Sequence, residues 1–280
     1  MKNDEQDNAT GVAESTFKST FNRRAFVKGT GFASLGLAGA ALVGSKFGSS
    51  EQKVEAASGV SDADILNFAL NLEYLEAEFY LKATWNTSLV QLGIITTADQ
   101  TGPTTGGAMV HDFQALPQAY VASALRTDEV RHVQYLRNAL GAGAVKKPAI
   151  NLNALGFGFA NVNDWMKLAS IFEDVGVSAY LGAAPLITNS TYLAAAAAIM
   201  GTEAQHSGTL REACIDAGVK VPSVDSLAVP PTAQNPYFVD KNGLSVPRTT
   251  MQVLNIVYAS GQCSGGFYPN GMNGEIVCQS

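Results

Sequence analysis

Two segments of this chain place a glutamate three residues before a histidine, Glu129-Val130-Arg131-His132 and Glu203-Ala204-Gln205-His206, and they use two of its three histidines. That spacing puts both side chains on one face of a helix. In each case the face is otherwise apolar: Ala122, Leu125, Leu136 and Ala139 run with the first motif, and Ala196, Ile199, Leu210 and Ala213 with the second. Donor groups in the middle of a core-facing stripe restrict the fold, because a buried carboxylate or imidazole has to find a partner inside the core. Two further stripes are interrupted in the same way. Glu73 breaks the series Leu66, Leu70, Ala77, Tyr80, and Glu173 breaks Met166, Ala169, Gly176, Tyr180. Each of these glutamates has a tyrosine seven residues later, so the halves of the sequence read as imperfect copies.

Four inward glutamates repel one another and suffer desolvation of several kcal/mol apiece unless protonated or compensated. No lysine or arginine stands on these faces to compensate them. A pair of divalent or trivalent cations supplies the missing charge, and a Glu from each of two helices plus a Glu-x-x-His from each of two others is a known way for a four-helix bundle to hold them. The expected ligands are therefore Glu73, Glu129, His132, Glu173, Glu203 and His206. Carboxylate-rich ligation suits Fe and Mn without choosing between them, so two Fe or two Mn ions per chain are expected. Oxygen or peroxide, reduced or disproportionated at the metal pair, is the expected small-molecule partner. Solvated salt-bridging faces are the competing reading. Tyr80 and Tyr180 read as core residues able to hydrogen-bond ligand carboxylates across the bundle. His111 reads as a loop histidine, and Glu76 and Glu78 as surface positions turned away from the Glu73 face.

The rest of the chain supports an all-α fold. Ser61 and Asp64 form a cap for a first helix to about Ala83, a second runs from about Pro117 to Leu140, and Asn163 and Asp164 offer caps to a third that Pro185 ends. A fourth spans about Ser190 to Gly218. The first two links are long and the third is brief, as long-crossover bundles require. Beyond Gly218 the chain turns proline- and glycine-rich, with one short helical stretch from about Thr250 to Tyr258. This gives a bundle over 57–218 and an irregular extension over 219–280 packed on it.

Leu66-Asn67-Phe68-Ala69-Leu70-Asn71-Leu72-Glu73 through Tyr80 resembles the first helix of bacterioferritins. Phe172-Glu173-Asp174-Val175-Gly176-Val177-Ser178-Ala179-Tyr180-Leu181-Gly182 and the tail Gly265-Gly266-Phe267-Tyr268-Pro269-Asn270-Gly271 resemble the desiccation-related subgroup of ferritin-like proteins. The resemblance implies Glu73 and Glu173 as terminal ligands, Glu129 and Glu203 as bridging carboxylates, and one imidazole per metal. It implies either ferroxidase- or catalase-like redox chemistry or, in the alternative, a non-catalytic stress protein that sequesters metal. The long links and the tail depart from the cage-forming storage ferritins, which leaves a homo-oligomer of another kind open.

The first 56 residues read as a targeting segment. Asn22-Arg23-Arg24-Ala25-Phe26-Val27-Lys28 before the small-residue stretch Gly29 to Gly44 resembles a twin-arginine export signal, with Val54-Glu55-Ala56 as a cleavage candidate, and implies a periplasmic or secreted protein. The stretch is too short and too rich in Gly and Ala for a membrane span. In an exported chain Cys263 and Cys278, both in the Gly-rich tail, are candidates for a disulfide, with Cys214 left as a buried thiol. A formal net charge of -6 without a Lys/Arg cluster argues against nucleic acid as a partner.

Overall fold

Ser61 starts the first helix, α1 (Asp62–Trp85), through a reciprocal cap in which the Ser61 N–H donates to Asp64 Oδ2 (2.8 Å) and the Asp64 N–H to Ser61 Oγ (3.2 Å). Asn86 closes it in the left-handed conformation at φ 49°. A computed structural model describes this protein over residues 59–115, 118–259 and 263–277; the expected export segment lies outside the described residues. The second helix, α2 (Gln118–Leu140), stops at Gly141, whose φ of +56° takes the chain out of the helix. The third, α3 (Val162–Ala183), begins earlier than the sequence suggests. Its cap is Asn161, which accepts from the Asp164 N–H at 2.9 Å. Asp164 serves instead as acceptor for the N–H groups of Gly158, Phe159 and Ala160, so it ties the incoming loop to the first turn. The fourth, α4 (Ser190–Asp216), is capped by Asn189 and ended by Gly218 at φ +63°. A short α5 (Thr250–Val257) lies in the extension.

α1 packs chiefly on α2 and α3 on α4, and the two pairs face each other to form an all-α bundle. Leu66, Leu70, Leu125, Leu136, Met166 and Leu210 fill the core between them, each contributing roughly 1.5–3 kcal/mol by leaving water. One end is packed with aromatic rings in edge-to-face contact, Phe79 on Phe172 at 5.1 Å and Phe113 on Trp165 at 4.9 Å. None of the described helices is long and apolar enough to cross a membrane.

The two long links pair with each other. Strand β1 (Thr104–Thr105) runs parallel to β2 (Ile150–Asn151), with Thr104 opposite Ile150. The extension joins this ladder, since the Asn151 N–H donates to Phe267 O (2.9 Å) and the Phe267 N–H to Val257 O (2.9 Å). As a result α1 has almost no solvent face: every residue from Ile65 to Leu81 is buried. Its polar side chains hold the covering segments, with Asn67 bonded to Gly143 and Val145, and Asn71 to Asn273.

Arg248 anchors the other flank of the extension. It is 2% exposed and donates to both Asp225 oxygens (2.9 Å each) and to Ser178 Oγ (2.8 Å). Gly182 admits the backbone there, because a Cβ at that position would lie 2.0 Å from Arg248 O.

Candidate metal centre

The four long helices deliver the six expected side chains to one place: Glu73 from α1, Glu129 and His132 from α2, Glu173 from α3, and Glu203 and His206 from α4. All four glutamates are 0% exposed. They form two groups, Glu73, Glu129, His132 and Glu203 in one and Glu129, Glu173, Glu203 and His206 in the other, with donor atoms in each group within 4.8 Å of one another. Glu129 and Glu203 belong to both groups, while Glu73 stays with His132 and Glu173 with His206. The imidazoles lie side by side at 6.2 Å between centroids.

His132 Nδ1 has Glu73 Oε2, Glu129 Oε2 and Glu203 Oε1 around it, each at 3.2 Å. His206 Nδ1 has Glu129 Oε1 at 3.1 Å and Glu173 Oε2 at 3.2 Å. A ring nitrogen carries at most one hydrogen, so it cannot satisfy three carboxylate oxygens. Glu129 Oε1 and both oxygens of Glu203 accordingly have no hydrogen-bond partner although they are fully enclosed; the two that approach a histidine lie off the direction of its N–H. Spacing near 3 Å between donors is what ligands about 2.1 Å from a common cation show, and divalent ions would satisfy the orphaned oxygens. The donor set thus fits a dinuclear metal site.

The outer oxygens of the terminal carboxylates are held by phenols. Tyr180 donates to Glu73 Oε1 at 2.5 Å, and Tyr80 makes the mirror-image bond to Glu173 Oε1. Each tyrosine thereby crosses to the opposite pair of helices and leaves Oε2 directed at a histidine. One residue further along, Asp174 accepts from Ser207 Oγ (2.7 Å) and Arg211 (2.6 Å), which fixes the register of α3 against α4 beside the cluster. At the rim Asp128 Oδ2 lies 3.5 Å from His206 Nε2.

Electrostatics record the missing positive charge. Burial, then the charges of Glu129 and Glu173, push Glu203 well above the usual carboxylate range. Burial lifts Glu129 to about 7 against the opposing effect of the two histidines beside it. For Glu73 burial acts upward too, but the neighbouring His132 charge and several hydrogen bonds outweigh it and hold the group down. Burial lowers both imidazoles, yet the carboxylates prevail and raise them, His206 to about 12.

Two surface expectations are overturned. Glu76 is 4% and Glu78 1% exposed. A helix advances about 100° per residue, so Glu76, three positions after Glu73, stands only about 60° round from it and remains inside. Glu78 does lie on the far side of α1, but the first link folds over it: the Leu89 N–H donates to its Oε1 at 3.3 Å, and buried Lys147 lies near. The near absence of lysine and arginine on α1, where Lys82 is the sole one, was the signal available in sequence. Asp128, Asp174 and Arg211 had no such signal. Ala139, placed with the first stripe, is exposed at the end of α2. His111 is exposed in the first link and belongs to neither donor group among the described residues. Cys214 is a buried free thiol, pushed up to about 12 by burial. Cys263 is disulfide-bonded; its expected partner Cys278 lies outside the described residues.

The Ferritin-like domain family matches residues 61–215, the stretch that carries all six residues, and the chain belongs to that family. Among curated proteins it is similar to the Ferritin-like catalase Nec2 of Nesocodon mauritianus, at 25% identity over 79% of this chain and 86% of that protein.

Proposed function

We propose that Glu73, Glu129, His132, Glu173, Glu203 and His206 hold two Fe or Mn ions and that the protein uses them to turn over peroxide or oxygen, with peroxide disproportionation favoured by the name of its relative. The observation that carries the reading is the crowding of three carboxylate oxygens on one imidazole nitrogen beside fully enclosed, unpartnered carboxylate oxygens. When bound, a pair of such ions supplies the redox couple and a Lewis-acidic place for an oxygen species. The chain does the rest. Glu129 and Glu203 each offer two oxygens to the shared region, Tyr80 and Tyr180 keep one oxygen of each terminal carboxylate aside, and the aromatic end and the extension exclude water. His132 and His206 retain 11% and 9% side-chain exposure against 0–1% for the glutamates, so a small molecule reaches the centre along the α2–α4 seam, past Asp128.

Anaerobic loading with Mn(II) or Fe(II), metal analysis, and oxygen release from peroxide test this. Two ions per chain with rapid turnover support it. Two ions with no turnover replace it by the metal-sequestering stress protein, and no binding removes the centre altogether.

The export reading belongs to the same proposal: Arg23 and Arg24 direct the chain out of the cytoplasm, where Cys263 pairs with Cys278. Lysine at both arginine positions should leave the protein in the cytoplasm, and unchanged export of that variant would overturn the reading. Peptide mapping without reduction should recover the 263–278 pair; free thiols at both would exclude it.

A further inference from the structure

Corresponding turns of α1 and α3 flank the centre, each opened by a glutamate, and three residues after it one has a carboxyl group and the other a glycine. α1 reads Glu73-Tyr74-Leu75-Glu76, and the corresponding turn of α3 reads Glu173-Asp174-Val175-Gly176. The glycine leaves a space, and two carboxyl groups occupy its edge: a Cβ built on Gly176 would lie 2.8 Å from Glu203 Oε2 and 3.4 Å from Glu76 Oε1. Glu203 is fully buried and neither of its oxygens has a hydrogen-bond partner. Its Oε1 faces His132 at 3.2 Å, while its Oε2 turns to Gly176, the side on which Glu76 stands. The charges acting on Glu76 most strongly are those of Glu203, Glu129, Glu173 and Glu73, and it is 4% exposed. A carboxylate so enclosed, among like charges, keeps its charge only where a cation faces it and otherwise takes up a proton.

We propose that Glu76 is a seventh donor of the metal centre, engaging the bound ions from the Glu203 side through the space that Gly176 leaves open. The inference rests on the dinuclear reading of the preceding section. It makes the two halves of the centre unlike, with a fifth carboxylate on one side only. Five carboxylates carry one negative charge more than two divalent ions neutralise, so Glu76 favours a centre in which one ion is trivalent.

Glu76→Gln keeps the size of the side chain and removes its ligating charge. In anaerobic titrations of the full chain with Mn(II), followed by the loss of the free-ion electron paramagnetic resonance signal, this variant should bind at least one of the two ions about 10- to 100-fold more weakly than the parent. The spectrum of the bound pair should change, and the metal-free protein should melt no lower. Gly176→Ala should weaken binding as well, since its methyl group meets Glu203 Oε2. Glu78→Gln, equally buried on the opposite side of α1, should bind as the parent does. Parent-like affinity and spectrum in Glu76→Gln would sink this proposal while leaving the six-residue centre intact, and so would equal weakening by Glu78→Gln, which marks general damage to α1. A parent that takes up no metal would remove the dinuclear reading and this inference together.

Discussion

Glu73 and Glu173 each commit one oxygen to a tyrosine, whereas Glu129 and Glu203 are held by no such bond, Glu129 facing both histidines and Glu203 facing His132. The six residues therefore should not respond alike to truncation. Glu129→Ala or Glu203→Ala removes a group common to both clusters and should abolish binding of both ions, while His206→Ala should leave the His132 side occupied; elemental analysis after loading and desalting reads the difference. Alanine is a good helix former, so the variants should keep their helical circular dichroism. Metal removal has a stability signature as well. An ion present at about 100 times its dissociation constant stabilises the folded state by about 2.7 kcal/mol, and a chain of this size shifts its melting point by roughly 2–4 °C per kcal/mol. Chelation should therefore lower the melting point by several degrees for each ion lost, and an unchanged melting curve would contradict the centre.

The four helices and the six side chains they bring together were legible because a donor that breaks an apolar stripe is visible at a period of 3.6 residues. What periodicity cannot show is the second layer of cover. The outward positions of α1 are buried by loops and a tail whose pairing, Thr104 with Ile150 and Asn151 with Phe267, leaves no regular trace in sequence. Glu78 was misplaced for that reason, and Glu76 because an offset of three residues is a small rotation, not a change of face. The cap of α3 fell two residues early because Asn161, Asn163 and Asp164 are all competent caps and only the loop geometry selects among them. Arg248 joins the extension to α3, and its removal isolates Asp225 in a partly buried site. Arg248→Ala should cost about 3 kcal/mol or more and make residues 219–248 an early target of limited proteolysis, with a parent-like digestion pattern arguing against the anchor.

Across the whole molecule several carboxylates are held low by folding. Asp99 sits at about 2, through the Thr96 hydroxyl first, then the Thr96 N–H and Arg137; for Asp225 burial acts upward, but Arg248 prevails. A depressed carboxylate contributes stability that is complete above its unfolded pKa, about 4, and is lost as pH falls through its folded value. The melting point should thus drop between about pH 4 and pH 2, with a shallower drop in Asp99→Asn; identical acid profiles would show that Asp99 takes no part. One feature bears on the order of events during synthesis. A ribosome delivers α1 well before the extension, yet the Asn71 side chain is held by the backbone of Asn273, 202 residues later in the chain. Nascent α1 therefore stays incompletely covered until the segment that carries Asn273 has been made. If Glu73 holds metal as proposed, uptake there should follow delivery of that segment, and a chain truncated before residue 263 should take up less Mn(II) than the parent in metal analysis after anaerobic loading.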